Sequence, residues 1–256
     1  MLLAIDAGNT HLVFALIDED GAKRSWRLQT DQRRTADDLA LWLFNLLSMV
    51  GTQPNRINKA VLSCVVPQLT EALVSAVQKV TGQTVLEVSY RTPGLGIQFD
   101  ISHPETMGAD RIVNCVAAHR IYSGNAVIVD FGTATTFDVI TEDGSYKGGA
   151  IAPGLWASME ALHMTTALLP RVDIVDPPQA MGTTTVGQIQ SGLFFGYIGL
   201  FEGLVRRMAE ELGTEKLRVI ATGGLVRRFA EHSNYISDVD DDLTLKGLEL
   251  VSKTAG

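Results

Sequence analysis

Cysteine is nearly absent. The chain holds two, Cys64 and Cys115, neither in a Cys-x-x-Cys pair nor in a cluster with histidine. That spacing excludes a disulfide scaffold, structural zinc and dithiol redox chemistry. Both thiols are expected to be reduced and buried among apolar neighbours. Positive charge is also in deficit, with 21 Lys and Arg against 29 Asp and Glu, a net charge of -8. A protein made for nucleic acid needs a basic surface to meet the phosphate backbone, so no nucleic-acid partner is expected. The deficit leaves a nucleotide open, since ATP needs only a few N–H groups, a local cation and Mg²⁺. Long hydrophobic runs are missing as well. The most apolar stretch, 192–205, is short and contains Glu202, so no membrane span is expected. Met1-Leu2-Leu3-Ala4-Ile5-Asp6 has neither the basic region nor the cleavage site of a secretory signal, and a cytoplasmic location follows as an expectation.

What is present is an ordinary soluble composition, 46% hydrophobic and 20% charged. A chain of 256 residues has room for two lobes and can bury a core unaided. An internal echo supports two lobes. Ile5-Asp6-Ala7-Gly8-Asn9-Thr10 leads into an apolar strand and then Asp18-Glu19-Asp20-Gly21. Val129-Asp130-Phe131-Gly132-Thr133-Ala134 leads into another and then Thr141-Glu142-Asp143-Gly144. Each unit reads as a buried strand, a glycine turn rich in polar side chains, a return strand and a second turn.

The periodicities extend this echo. Strands near 2–6, 11–17 and 24–29 precede a helix over 36–49, which Thr35 caps with Asp38 three residues on. A strand at 60–66, a helix from Gln68 to about Val80, a strand at 84–88 and a helix from near Gly108 complete the first copy. The second has strands near 126–130, 135–140 and 146–151, a helix at 155–166, a long helix at 184–212, a strand at 217–221 and short helices. The order βββαβαβα thus occurs twice, the second time less regularly. The fold class is α/β, with lobes 1–123 and 124–256 facing each other across a cleft floored by the two Asp-x-Gly hairpins. Actin-like and sugar-kinase ATPases are built in this way.

Several residues suit phosphate chemistry. In the first hairpin Gly8 permits a tight turn whose N–H groups can cradle phosphate oxygens, and Asn9 and Thr10 can add donors. Asp6, at the strand end, can hold Mg²⁺ or its waters. A plain β-turn with a solvated aspartate is the competing reading. The second hairpin crowds Thr133, Thr135 and Thr136 after Asp130, which suits oxygen ligation of phosphate or a monovalent cation, although threonine is also a common strand residue. Gly108-Ala109-Asp110-Arg111 opens an amphipathic helix. Asp110 there is either an acidic residue favoured by the helix dipole or the base that takes a proton from a substrate hydroxyl. Arg111 can fork onto a carboxylate. Gly148-Gly149-Ala150-Ile151-Ala152-Pro153-Gly154 and Ala221-Thr222-Gly223-Gly224 read as site linings or simple tight turns. Gly192, Gly196, Gly199 and Gly203 share one face of the long helix, which suits close approach of another helix.

Taken together, these five ordered motifs resemble the type III pantothenate kinase family across nearly the whole chain, within the acetate/sugar kinase–actin superfamily and its duplicated ribonuclease H-like fold. The resemblance implies ATP-dependent phosphorylation of pantothenate to 4'-phosphopantothenate, the first step towards coenzyme A; a Mg²⁺ requirement is expected from the two phosphate hairpins and the Gly-Ala-Asp-Arg segment. It implies that Asp6, Ala7, Gly8, Asn9, Thr10, His11, Leu12 and Val13 hold ATP together with Thr133. It makes Asp110 the catalytic base and places Phe99, Gly108, Ala109, Asp110, Arg111 and Thr185 around pantothenate. It gives Asp130 a monovalent cation, K⁺ or NH₄⁺, and makes the protein a homodimer in which His163 lines the substrate pocket. Two positions depart from the family pattern. Phe99 stands where tyrosine is usual, removing a hydroxyl, and Thr184 stands where asparagine commonly precedes the threonine matched by Thr185. Neither touches the base or the phosphate loops, so an active enzyme with altered substrate affinity is expected. The alternative is a regulatory, transcription-accessory protein that keeps the nucleotide site without catalysis, which the presence of Asp110 disfavours. A hydrolytic ATPase of the same fold is a further alternative, disfavoured by the Gly-Ala-Asp-Arg segment.

Overall fold

The structure is a computed structural model that describes residues 1–214 and 217–255. Its contacts divide the chain into two units. One takes Met1–Ile121 together with the segment from Asp242 onward, and the other takes Tyr122–Asp241.

The first unit runs β1 (Leu2–Ala7), β2 (His11–Ile17), β3 (Lys23–Gln29), α1 (Ala36–Met49), β4 (Lys59–Cys64), α2 (Pro67–Thr81), β5 (Val85–Glu87), the two-residue strand β6 (Gln98–Phe99) and α3 (Ala109–Ile121). Its sheet is ordered β3-β2-β1-β4-β5. β1 pairs antiparallel with β2 and parallel with β4. Strands covered on both faces become apolar on both, and β1 and β4 read that way. Alternate residues Leu3, Ile5, Ala7 and Leu62 pack with Leu39, Leu43, Leu69 and Leu73 of α1 and α2 in one core. The opposite side chains of β1 and β4, among them Ala4, Asp6, Val61 and Ser63, lie on the other face of the sheet, against which α3 and a late helix pack. The expected cap of α1 is present. Asp38 N–H donates to Thr35 Oγ1 at 3.2 Å and Thr35 N–H donates to Asp38 Oδ2 at 2.9 Å.

The second unit runs β7 (Ala126–Phe131), β8 (Ala134–Ile140), β9 (Ser145–Pro153), α4 (Leu155–Thr165), α5 (Thr185–Leu212), β10 (Arg218–Thr222), α6 (Val226–Ala230) and β11 (Asp238–Val239). Its strands are ordered β11-β10-β7-β8-β9, the arrangement of the first unit repeated. The core here is aromatic. Phe131 stacks on Phe229 with ring centroids 5.6 Å apart, and Phe194, Tyr197 and Phe201 close around them. Two copies of this strand order are the expected duplicated ribonuclease H-like fold.

The last helix, α7 (Leu243–Thr254), corrects the expected second lobe of 124–256. It packs on α3, β1 and β4 of the first unit. Gly247 makes that fit possible, because a Cβ there would stand 2.1 Å from the Val113 carbonyl oxygen of α3. Lys23 Nζ also meets Asp242 at 2.7 Å, and Thr244 donates to the buried Asn114 of α3 at 2.8 Å.

Candidate active site

In the first unit the site is built where β1 and β4 end. The turn after β1 is closed by Gly8 N–H donating to His11 O at 3.0 Å, and Thr30 Oγ1 ties it down by donating to Gly8 O at 2.7 Å. Thr30 N–H also donates to Thr10 O at 3.0 Å. The turn is therefore held by the residue that follows β3, while the side chains of Asn9, Thr10 and His11 are exposed. Ala7 and Leu12 of the expected ATP-binding segment send their side chains into the core, so they offer a ligand only backbone groups. Asp6 and Val13 are half-buried.

Asp110 and its neighbours stand at the same end of that unit. Met107 and Ala109 are buried and anchor the turn into α3, leaving Gly108, Asp110 and Arg111 half-buried. The Asp110 carboxylate accepts the Arg111 N–H at 2.7 Å, in the first helical turn, where unpaired N–H groups and the helix dipole favour negative charge. A Cβ on Gly108 would meet Asp110 Oδ1 at 2.6 Å and Val65 Cγ1 at 3.3 Å. Glycine is thus what lets this carboxylate fold back over the segment that follows β4. Phe99 is half-buried in β6, beside an exposed Asp100.

The second unit repeats the turn around Asp130. Gly132 N–H donates to Ala134 O at 3.1 Å. Asp130, at the end of β7, is matched in register by Thr222 of β10 and Thr136 of β8. Gly223 has φ +97° and its Cβ would stand 2.5 Å from Asp130 Oδ1, so the carboxylate occupies a cradle that only glycine leaves open. Gly154, the N-cap of α4, presses on the same turn, accommodated only because no Cβ meets Thr133 O. Thr133 and Gly224 are exposed, and a Cβ on Gly224 would meet open space. Thr135 is buried and bonded to the Tyr197 hydroxyl, so it serves the core. Burial raises the Tyr197 pKa, and the nearby Asp130 charge pushes the same way while the Thr135 bond opposes it.

Thr185 is exposed at the first position of α5. Thr184 caps that helix, its hydroxyl accepting Gly187 N–H at 3.1 Å. Asparagine and threonine both cap well, so the departure at Thr184 preserves a structural job. His163 is half-buried near the end of α4 with Nδ1 2.9 Å from Leu169 O. Among the described residues no group of three or more His, Cys, Asp or Glu side chains gathers as a metal centre. Cys115 is buried as expected, whereas Cys64 is only partly so, its Sγ accepting from Thr70 Oγ1 at 3.3 Å. Ser63, which the sequence reading did not single out, is fully buried and in register with Asp6.

Comparison with known proteins identifies the family of the chain. The profile of the type III pantothenate kinase family matches residues 2–207. A type III pantothenate kinase of Paramagnetospirillum magneticum is 49% identical over 248 residues, covering 97% of this chain and 95% of the relative. One from Rhodospirillum rubrum is 46% identical, covering 99% and 98%. A crystal structure from Sinorhizobium meliloti, provisionally assigned as a 2-dehydro-3-deoxygalactonokinase, superposes with a TM-score of 0.64 at 15% identity, covering 99% and 96%, and this likeness bears on fold alone. With Asp110 standing in the Gly-Ala-Asp-Arg turn, and with near-complete coverage at close to half identity, the chain belongs to the type III pantothenate kinase family.

Proposed function

We propose that the protein transfers the γ-phosphoryl group of ATP to the primary hydroxyl of pantothenate, giving ADP and 4'-phosphopantothenate. Family membership supplies the substrates. The carrying structural observation is the Asp110 carboxylate, held by the first turn of α3 at the end of the unit that also presents the Gly8-Asn9-Thr10 turn. The pantothenate hydroxyl gives its proton to Asp110 as its oxygen bonds to phosphorus and the bond to the ADP oxygen breaks. Phosphoryl transfer asks chiefly for positioning and charge compensation. Backbone N–H groups of the first turn, with Asn9 and Thr10, hold phosphate oxygens, and Thr133 contacts ATP. Arg111 orients the pantothenate carboxylate, and Gly108 and Ala109 leave space for its chain.

Asp6 fits Mg²⁺, because a single carboxylate at a strand end leaves the remaining ligands to water and phosphate oxygens. Bound there, Mg²⁺ would neutralise charge on the transferring phosphate. Asp130 fits a monovalent cation, its carboxylate lying in the space left by Gly223. Potassium is expected to activate more than sodium. If Asp130→Ala abolishes that preference, the assignment holds; a variant with full activity and full potassium dependence contradicts it.

Assembly as a homodimer is part of this proposal. Gly192, Gly196, Gly199 and Gly203 of α5 would each direct a Cβ into open space, and Val186 and Leu200 of the same helix are exposed. Trp156 and Leu162 of α4 are exposed too. A two-fold contact of these surfaces would bury them and bring Thr185 and His163 to the neighbouring chain's substrate. No helix among the described residues is long and apolar enough to cross a membrane. A cytoplasmic enzyme without nucleic-acid or membrane partners is the reading we favour. ADP release measured with and without pantothenate tests the activity, and equal release in both would point to a hydrolytic ATPase.

A further inference from the structure

Ser63 has no role in the chemistry above. It is 0% exposed, and its Oγ has no hydrogen-bond partner among the described residues. A buried hydroxyl left unsatisfied is destabilising, and such groups in folded proteins ordinarily meet a partner. The position of this one is informative. Ser63 is the register partner of Asp6 across the parallel β1–β4 pair, so both side chains leave the sheet on the same face. That is the face against which α3 and α7 pack. Two residues on, Val65 reaches Gly108, over which the Asp110 carboxylate folds. The hydroxyl therefore sits beside Asp6, on a strand end that leads to the first turn of α3. Its neighbour Cys64, by contrast, has its Sγ engaged with Thr70 and the Val66 carbonyl.

We propose that Ser63 is a positioning residue of the nucleotide site, its hydroxyl hydrogen-bonding a water of the Mg²⁺ shell held at Asp6. A hydroxyl suits this place because it accepts or donates without adding charge. It fixes a water on one side of the cation while phosphate oxygens bind on the other. The inference rests on the assignment of Asp6 to Mg²⁺.

The test is calorimetric titration of wild type and Ser63→Ala with ADP, in excess Mg²⁺ and again in EDTA, together with thermal melts of the ligand-free proteins. The inference predicts that the alanine variant binds ADP with Mg²⁺ about five-fold more weakly, the equivalent of about 1 kcal/mol. Binding of ADP in EDTA and the pantothenate KM stay as in wild type. The ligand-free melting temperature stays level or rises, because no bond within the chain is lost. Unchanged affinity in Mg²⁺ overturns the inference, as does an equal loss with and without Mg²⁺. A lower melting temperature with unchanged nucleotide affinity also overturns it, leaving Ser63 to a structural water. Wild type that binds ADP equally well in Mg²⁺ and EDTA removes the Asp6 assignment instead, so the two failures can be told apart.

Discussion

Asp110 is the base in the proposed reaction. Its carboxylate is placed by the Arg111 N–H and by the absence of a Cβ on Gly108, neither of which depends on its charge. Asp110→Asn should therefore fold normally, since the amide oxygen can still accept that bond, while kcat falls ~10²–10⁴-fold, the usual contribution of a positioned base. Circular dichroism and steady-state kinetics check both parts, and a variant with normal kcat would remove Asp110 from the reaction. Asp6, Asp110 and Asp130 stand out as candidates in the sequence because an Asp-x-Gly turn after a buried strand, and an aspartate opening a helix, are chemical patterns in short windows. Ser63 does not stand out in this way. The role proposed for it comes from register with a residue 57 positions away, and nothing within its own strand marks it. Ala7 and Leu12 show the converse: motif membership assigned them to ATP, yet strand alternation turns both side chains into the core.

Among the elements, strands and helices with strong local signals lay where expected. α1 has its Thr35–Asp38 box, α5 runs Thr185–Leu212 against an expected 184–212, and the repeated hairpins gave both sheet centres. The two-residue strand β6 left no pattern to read. The placement of α7 was hidden for a different reason. Its own amphipathic spacing says that it packs on something, but the partner is chosen by shape, through the notch at Gly247 against Val113 of α3. A methyl group there must push α7 off α3 by meeting backbone, which no rotamer change can relieve. Gly247→Ala is expected to destabilise the protein by ~1–3 kcal/mol through overpacking. A thermal or urea unfolding experiment reads this directly, and an unchanged midpoint would mean that α7 is not held in this seat.

For the whole molecule, one chain leaves the glycine face of α5 and several apolar side chains of α4 and α5 open to solvent. Large contiguous apolar exposure is unusual on a monomer, and four glycines weaken a helix by about 1 kcal/mol each relative to alanine. The proposed packing against a second copy would account for both. Replacing Gly196 with Leu should push such chains apart, shifting sedimentation toward monomer and lowering pantothenate turnover more than nucleotide affinity. A leucine variant that stays dimeric and fully active contradicts the assembly. The reaction itself can be read by incubating the protein with ATP, Mg²⁺, potassium and pantothenate and quantifying both products by mass spectrometry. A pantothenate kinase should yield one 4'-phosphopantothenate for every ADP formed, with both lost in Asp110→Asn; ADP accumulating without phosphorylated pantothenate would mean that the phosphoryl group goes elsewhere.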